Sequence, residues 1–285
     1  MGAPAAGQPR PPPPNRPWRA EVVIGALLCA LQLATTATAR AEDTTPEPIP
    51  RARFHLYLLL GQSNMFGRGP LPATDVEVHP RVLALDGEGR WVPARDPLHA
   101  SVAETATDVA KAGVGPGLSF GRRMAEHDAD VHVGLIPCAV GGTQVRAWRR
   151  GRPHYQRALA RARTATRDGV LMGILWHQGE SDTYRRRTAA RYAEQLDAMI
   201  GEWRADLGSP VPFVAGRIAD PNGGENIQLI NTAIAELPER VPRTAVVDVA
   251  GLETSGPWHF TADAARELGR RYAAALLTLR AGEGR

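Results

Sequence analysis

Short apolar segments alternate with amphipathic segments along most of the chain. Five apolar segments have the length and the aliphatic, β-branched composition of strands: residues 54–60, 131–136, 170–176, 211–215 and 244–249. Strands that alternate with helical patterns are typical of a parallel sheet with helices packed on its faces. The pattern therefore predicts an α/β protein.

Two amphipathic segments give the clearest helix signals. In the last segment Thr261 has the position of an N-cap, and Leu268, Tyr272 and Leu276 fall on one face. The other segment ends at Gly208 and carries six residues at helical spacing, which are Tyr184, Thr188, Tyr192, Leu196, Met199 and Trp203. Both segments are predicted to be helices with these side chains in the core.

Residues 61–117 do not follow the alternation. They are rich in Gly, Pro and Asp and contain one short strand signal, at residues 82–85. This stretch is predicted to be a long irregular insertion next to the first strand.

The first fifty residues have a different composition and carry ten of the 24 prolines. Basic residues up to Arg19 precede an apolar run at residues 22–34, and Ala39-Arg40-Ala41 has the small-residue form of a signal peptidase site. We therefore expect a signal peptide at 1–41, a linker at 42–53 and a single domain at 54–285. An uncleaved membrane anchor is the alternative, although the run is short for a membrane span.

Charge and cysteine content exclude several classes of protein. The net charge is +4, but residues 1–41 account for +3 of it, so the remainder has no strong field to attract nucleic acid. No apolar stretch after residue 41 is long enough to cross a membrane. Cys138 is the only cysteine after residue 41, which excludes an internal disulfide in the mature protein and predicts a buried thiol.

In a parallel α/β sheet the chemistry lies in the loops that follow the carboxyl ends of the strands. Ser63, after the first strand, has the position of a nucleophile or of an ordinary turn residue. The paired glycines Gly141 and Gly142 allow a ligand to approach the backbone closely. Gln178 follows a strand, where its amide either hydrogen-bonds within the fold or donates to an oxyanion. His259 stands between aromatic residues, where a histidine is more often packed than catalytic unless the site needs a base.

The order and spacing of these loops resemble the SGNH-hydrolase superfamily, and within it the sialate O-acetylesterase and acetylxylan-esterase group, carbohydrate esterase family 6. The resemblance covers residues 54–279 and rests on four motifs: Gly61-Gln62-Ser63-Asn64-Met65, residues 136–148 with Gly141-Gly142-Thr143, residues 176–182, and His259-Phe260 with the following helix. It implies a three-layer α/β/α sandwich with a five-stranded parallel sheet, of the flavodoxin-like SGNH type.

The resemblance also implies roles for individual residues. Ser63 corresponds to the catalytic nucleophile and His259 to its general base. The backbone N–H groups of Ser63 and Gly141 and the side-chain amide of Gln178 correspond to the oxyanion hole, with Gly142 as an alternative to Gly141. No cofactor or metal site is implied, since no motif for either occurs.

One position departs from the family pattern. An aspartate normally stands three residues before the histidine, whereas this chain has Gly256. Four alternatives then remain for the orientation of the imidazole: Glu180, some other carboxylate that reaches in, a backbone carbonyl such as that of Gly256, or no orienting group at all. We expect the carbonyl to do so, because Gly256 precedes a proline and is biased towards extended backbone. Trp148 and Trp258 lie close to the predicted site, where a sugar-stacking role and a core role are both open.

The expected function is an exported carbohydrate O-acetylesterase that works through a serine acetyl-enzyme. Its partner is an acetylated carbohydrate, with xylan, sialic acid and peptidoglycan acetyl groups all open. The missing aspartate leaves a second function open, which is an inactive relative that binds acetylated glycans. A lipid or thioester hydrolase of the same superfamily is the third alternative.

Overall fold

The computed structural model describes residues 48–71, 78–220 and 223–283. The predicted signal peptide at 1–41 lies outside the described residues, as does the first half of the linker at 42–53. The strands are β1 (Phe54–Gly61), β2 (Val82–Leu85), β3 (Trp91–Pro93), β4 (His132–Pro137), β5 (Val170–His177), β6 (Phe213–Gly216), β7 (Thr244–Val247), β8 (Thr254–Ser255) and β9 (His259–Phe260).

Helices connect these strands and cover the sheet. They are α1 (Ser63–Phe66), α2 (Ala106–Ala110), α3 (Pro116–His127), α4 (Pro153–Ala165), α5 (Arg186–Ala190), α6 (Tyr192–Leu207), α7 (Glu225–Ala235), α8 (Leu237–Arg240) and α9 (Ala262–Glu283). Short 3₁₀ turns add Arg51–Arg53, Ala100–Val102, Val145–Trp148 and Glu180–Asp182.

The central sheet has the strand order β3-β2-β4-β1-β5-β6-β7. All neighbouring pairs are parallel except β2 and β3, which are antiparallel. The α/β fold is confirmed, and the sheet is wider than the five parallel strands expected. The two additional strands, β2 and β3, come from the insertion. The short strand signal at 82–85 is confirmed by β2, whereas β3 lies in sequence predicted to be irregular. The three residues of β3 are too few for a period-2 pattern to emerge.

Strand β1 shows how the three layers are built. Leu56, Leu58 and Leu60 enter one hydrophobic cluster, and the alternate residues Tyr57 and Leu59 enter the other. Helices α4, α6, α7 and α8 pack on the first side of the sheet. Helices α1, α3 and α9 pack on the second side. β1 is therefore buried on both faces, which explains its unbroken apolar sequence.

The predicted helix from residue 184 is wrong at its beginning. The chain forms α5 and α6 as separate helices that meet at Arg191, and Tyr184 precedes both with 72% of its surface exposed. The apolar spacing continues through the break because Ala189 and Tyr192 still face the core. For α9 the N-cap prediction is confirmed, since the Ala264 N–H donates to Thr261 Oγ at 3.3 Å. None of the helices in the described ranges is long and apolar enough to cross a membrane.

Candidate active site

Ser63 lies at the carboxyl end of the central strand. β1 ends at Gly61, and Ser63 is the first residue of α1, so its N–H has no acceptor within its own helix. Gly61 has a φ of 131°, and a Cβ there would collide with the His177 carbonyl at the end of β5. The glycine thus lets the two strand ends meet beside the serine. Ser63 lines a cleft of about 400 Å³, named here the active-site cleft.

His259 reaches the same cleft from the small hairpin formed by β8 and β9. Its Nε2 lies 3.1 Å from Ser63 Oγ, which is hydrogen-bond distance. Partial burial lowers the pKa of His259, and the positive charges of Arg68 and Lys111 lower it further. The imidazole is therefore biased to its neutral form, which is the form that accepts a proton.

The expected orientation of the histidine by Gly256 is wrong. Gly256 lies in the hairpin turn with a φ of 75°, a left-handed conformation rather than the extended one predicted from the following proline. Neither the Gly256 carbonyl nor a Glu180 oxygen hydrogen-bonds to His259 within the described part of the chain. The turn has only three residues in which to reverse the chain, and this requirement overrides the preference of Gly256 for extended backbone before a proline.

Asn64 holds the backbone on both sides of His259 instead. Its Nδ2 donates to the Trp258 carbonyl at 2.8 Å, and its Oδ1 accepts from the Phe260 N–H at 3.3 Å. The same Nδ2 donates to Glu180 Oε1 at 2.6 Å. Asn64 is 3% exposed and follows Ser63 directly in the chain. One amide therefore ties the histidine hairpin to the residue next to the nucleophile.

Glu180 lies in the wall of the cleft and is 3% exposed. Burial raises the pKa of its carboxyl to about 7, and the nearby Asp182 charge raises it as well, while the Asn64 hydrogen bond opposes the rise. Its Oε2 is buried and has no hydrogen-bond partner among the described residues. Near neutral pH the carboxyl is thus protonated in a substantial fraction of molecules. Glu180 is linked to the histidine hairpin only indirectly, through its hydrogen bond with Asn64.

The Gly141 N–H is occupied by a carboxylate from the insertion. It donates to Asp108 Oδ2 at 3.1 Å, while Asp108 Oδ1 pairs with Arg68. A Cβ at position 141 would come too close to the ends of both side chains, so Asp108 and Arg68 would have to shift to accommodate a larger residue there. Gly142 also lines the cleft and has a φ of 72°. A substrate oxygen that uses the Gly141 N–H has to displace Asp108.

The structure does not bring Gln178 to the cleft surface. Gln178 is completely buried, and its Nε2 lies within hydrogen-bond distance of Thr143 O (2.9 Å), Asp182 Oδ2 (2.7 Å) and Gln62 Oε1 (3.3 Å). Gln62 itself lines the cleft. An amide that is already engaged inside the protein is poorly placed to donate to an oxyanion. Gln178 thus supports the cleft through Gln62, and its predicted direct role lacks geometric support.

Other residues divide between core and cleft. Trp148 is fully buried, and its indole donates to Thr143 Oγ at 3.0 Å, so it belongs to the core. Trp258 lines the cleft. Cys138 is buried, as predicted. Within the described ranges no group of three His, Cys, Asp or Glu side chains is arranged to hold a metal ion.

Sequence reasoning missed Arg68, Asp108 and Lys111, which line the cleft together with Ser63 and His259. All three come from the insertion, where no motif identifies functional positions. Asn64 was part of a recognised motif, but its link to the hairpin joins residues 194 positions apart along the chain. Only the fold shows such a contact.

Comparison with known proteins gives the family of the chain. The family described as carbohydrate esterase, sialic acid-specific acetylesterase matches residues 53–278. A probable carbohydrate esterase of Arabidopsis thaliana is 32% identical over 252 residues, which cover 81% of this chain and 92% of that protein. The solved structure of an Arabidopsis thaliana protein has 31% identity and a TM-score of 0.72, and the match covers 79% of this chain and 98% of that one.

More distant structures share the fold. NanS superposes with a TM-score of 0.66 at 18% identity, over 82% of this chain and 99% of that one. A carbohydrate acetylesterase from Xanthomonas citri superposes with a TM-score of 0.60 at 21% identity, and the match covers 80% of this chain and 57% of that one. The resemblance to sialate O-acetylesterases is thus confirmed, and the chain belongs to the family of carbohydrate esterases described as sialic acid-specific acetylesterases.

Proposed function

We propose that this carbohydrate esterase removes O-acetyl groups from glycans with Ser63 as its nucleophile and His259 as its general base. The observation that carries the proposal is the 3.1 Å contact between Ser63 Oγ and His259 Nε2 at the end of the central strand. A serine and a base within hydrogen-bond reach, at the wall of an open cleft, are the minimum required for acyl transfer.

The proposed reaction has two halves. His259 Nε2 takes the Ser63 proton as Oγ attacks the acetyl carbonyl, and the histidine then gives that proton to the departing sugar oxygen. The C–O bond to the sugar breaks, and Ser63 carries the acetyl group. Water then attacks the acetyl-enzyme with His259 again as base, which releases acetate and restores the serine.

The negative charge on the tetrahedral oxygen requires hydrogen-bond donors. The backbone N–H of Ser63 at the start of α1 is one proposed donor, and the N–H of Gly141, or of Gly142, is the second. Gln178, with its amide engaged internally, supports Gln62 rather than donating itself. Asp108 leaves the Gly141 N–H when the acetyl group enters, if Gly141 is the donor.

The identity of the sugar is also part of the proposal. The family description names sialic acid, and the Xanthomonas citri relative is named a carbohydrate acetylesterase. Acetyl groups on sialic acid, xylan and peptidoglycan are the substrates to compare. Export rests on the signal-peptide pattern of residues 1–41 and is tested by N-terminal sequencing of the protein recovered from its cell envelope or medium.

The decisive experiment measures acetate release from 4-nitrophenyl acetate and then from a panel of acetylated glycans, with Ser63→Ala as the control. Turnover that depends on Ser63 supports the proposal. An active Ser63→Ala variant would overturn the serine mechanism. If the wild type binds acetylated glycans without turnover, the chain is the inactive binding relative that the missing aspartate leaves open.

A further inference from the structure

A second cleft opens beside the active-site cleft, and we infer that it binds an anionic group of the glycan that carries the acetyl ester. This cleft, named here the arginine cleft, has a volume of about 490 Å³ and is lined by Gln144, Arg146, Tyr184, Arg185, Arg187 and Thr188. The inference rests on the proposed deacetylase function, because it concerns how the same substrate is held.

Tyr184 joins the two clefts, since it lines both of them. Its side chain is 72% exposed, an unusual state for a large aromatic residue in the described part of the chain. An exposed ring at the junction offers a flat apolar surface on which a sugar ring stacks. A glycan bound at Ser63 thus continues over Tyr184 into the arginine cleft.

Half of the residues that line the arginine cleft are arginines. Arg146, Arg185 and Arg187 are exposed, and none of the three makes an ion pair within the described part of the chain. Neighbouring arginines are paired: Arg186 with Glu225, and Arg191 with Glu194. The cleft therefore gathers three guanidinium groups that form no ion pair in the described residues, and of these only Arg146 acts on a nearby buried carboxylate, that of Asp182.

The walls of the arginine cleft are fixed to the active-site loops. Gln144 Nε2 donates to the Ser181 carbonyl at 3.0 Å and so joins the loop after β4 to the loop after β5. Thr188 Oγ donates to the Asp182 carbonyl at 2.7 Å. The arginines therefore extend outward from the same two loops that bring Gly141 and Glu180 to the active-site cleft. This connection fixes the distance between an anion in one cleft and an ester in the other.

Arginine selects the chemistry of the ligand. Its planar guanidinium donates two parallel hydrogen bonds to a carboxylate or a sulfate, and it is less strongly hydrated than an ammonium group. A neutral xylan backbone offers no such partner. The ligand predicted for the arginine cleft is therefore the carboxylate or sulfate of an acidic polysaccharide, bound at a sugar other than the one being deacetylated.

The test compares two double variants of the full chain that remove the same charge. Arg185→Gln with Arg187→Gln alters the arginine cleft, and Arg123→Gln with Arg270→Gln is the matched control on α3 and α9, in the other helical layer. The kcat/KM of each is measured on acetylated polygalacturonate, on neutral acetylated xylan and on 4-nitrophenyl acetate.

We expect the cleft variant to lose about tenfold more kcat/KM on acetylated polygalacturonate than on the two uncharged substrates, since charge-assisted hydrogen bonds are lost. The wild-type preference for the anionic polymer should also fall between about 0.02 and 0.2 M salt. Equal losses on all three substrates, or the same discrimination in the control variant, would overturn the inference.

Binding without catalysis separates this inference from the proposed function. Retention of the wild type and both double variants is measured by affinity electrophoresis in gels that contain unacetylated polygalacturonate or dextran sulfate. Retention that the cleft variant alone loses supports the inference, even if 4-nitrophenyl acetate is not hydrolysed and the proposed function fails. The polymer that retains the protein identifies the anion as carboxylate or sulfate, and retention by neither refutes the anionic subsite.

Discussion

The nucleophile and the base of this site are held in very different ways. Ser63 follows a strand buried on both faces, and all four residues of its helix are buried. His259 lies on a strand of two residues, and Gly256 and Pro257 in the turn before it are exposed. The core fixes the serine, whereas Asn64 ties the histidine hairpin to it. The geometry of the pair thus depends on a contact outside the Ser–His dyad.

Ser63→Ala should give the largest effect. The variant loses one hydroxyl at the first residue of α1 and keeps its fold, so the thermal midpoint should stay within a few degrees while acetate release falls to background. Turnover is measured on 4-nitrophenyl acetate, with circular dichroism as the check on folding. Activity close to that of the wild type would exclude the dyad.

Asn64→Ala should lower kcat by about 100-fold with KM changed less than threefold, because the histidine loses its alignment while the cleft keeps its shape. The pH profile should also broaden or shift, which a purely structural loss would not cause.

Asn231→Ala is the matched control for Asn64→Ala. Asn231 is a buried amide that bonds both the N–H and the carbonyl of Ile218, away from the dyad. Its loss should reduce stability by about 1–3 kcal/mol and leave kcat within threefold. Equal kcat losses in the two variants at equal stability loss would show that Asn64 only supports the fold.

The two halves of the site differed in how far the sequence predicted them. The strand before Ser63 is apolar throughout and ends in a recognisable motif. The sequence therefore predicted both the strand and the position of Ser63 at its carboxyl end. The position of His259 was predicted from motif order, but the hairpin that carries it has strands too short to show a pattern. Asp108 on the Gly141 N–H was not predictable, since its position depends on how the insertion folds back.

Gln178→Ala separates a support role from direct catalysis. A donor to the oxyanion would cost about 100 to 1,000-fold in kcat. We expect kcat to fall by about tenfold or less. The free energy of unfolding should fall by about 1–3 kcal/mol, because Thr143, Asp182 and Gln62 lose a buried hydrogen-bond partner. Thermal unfolding and kcat on an aryl acetate, measured on the same samples, distinguish the two roles. A stable variant with a thousandfold lower kcat would restore Gln178 to the oxyanion hole.

The acid limb of the pH profile tests the environment of the histidine. The pKa of His259 is lowered by burial and by the charges of Arg68 and Lys111, so the neutral base persists below the ordinary pKa of 6.5. The kcat/KM should therefore fall only at a pH below 6.5. Lys111→Gln removes one positive charge and should move the limb upward. A wild-type limb above 6.5 would contradict the described electrostatics.

Glu180→Gln should lower kcat by less than tenfold. The group contacts Asn64 rather than the histidine, and a glutamine Oε1 still accepts the Asn64 hydrogen bond. A loss of a thousandfold with the fold preserved would make Glu180 the third catalytic member.

The same variant has a stability signature that follows from the raised pKa of Glu180. The folded chain holds the Glu180 proton up to about pH 7, whereas the unfolded chain releases it near 4.5. Below pH 4.5 the group is neutral in both states and its burial does not lower the free energy of unfolding through this proton. As the pH rises to 7 the free energy of unfolding falls by an amount that reaches about 3 kcal/mol. Glutamine carries no such cost, so Glu180→Gln should gain stability relative to the wild type between pH 5 and pH 8 in urea unfolding. A stability difference that does not change with pH would mean that the carboxyl stays ionised in the folded protein, and its link through Asn64 would then place a full negative charge beside the histidine hairpin.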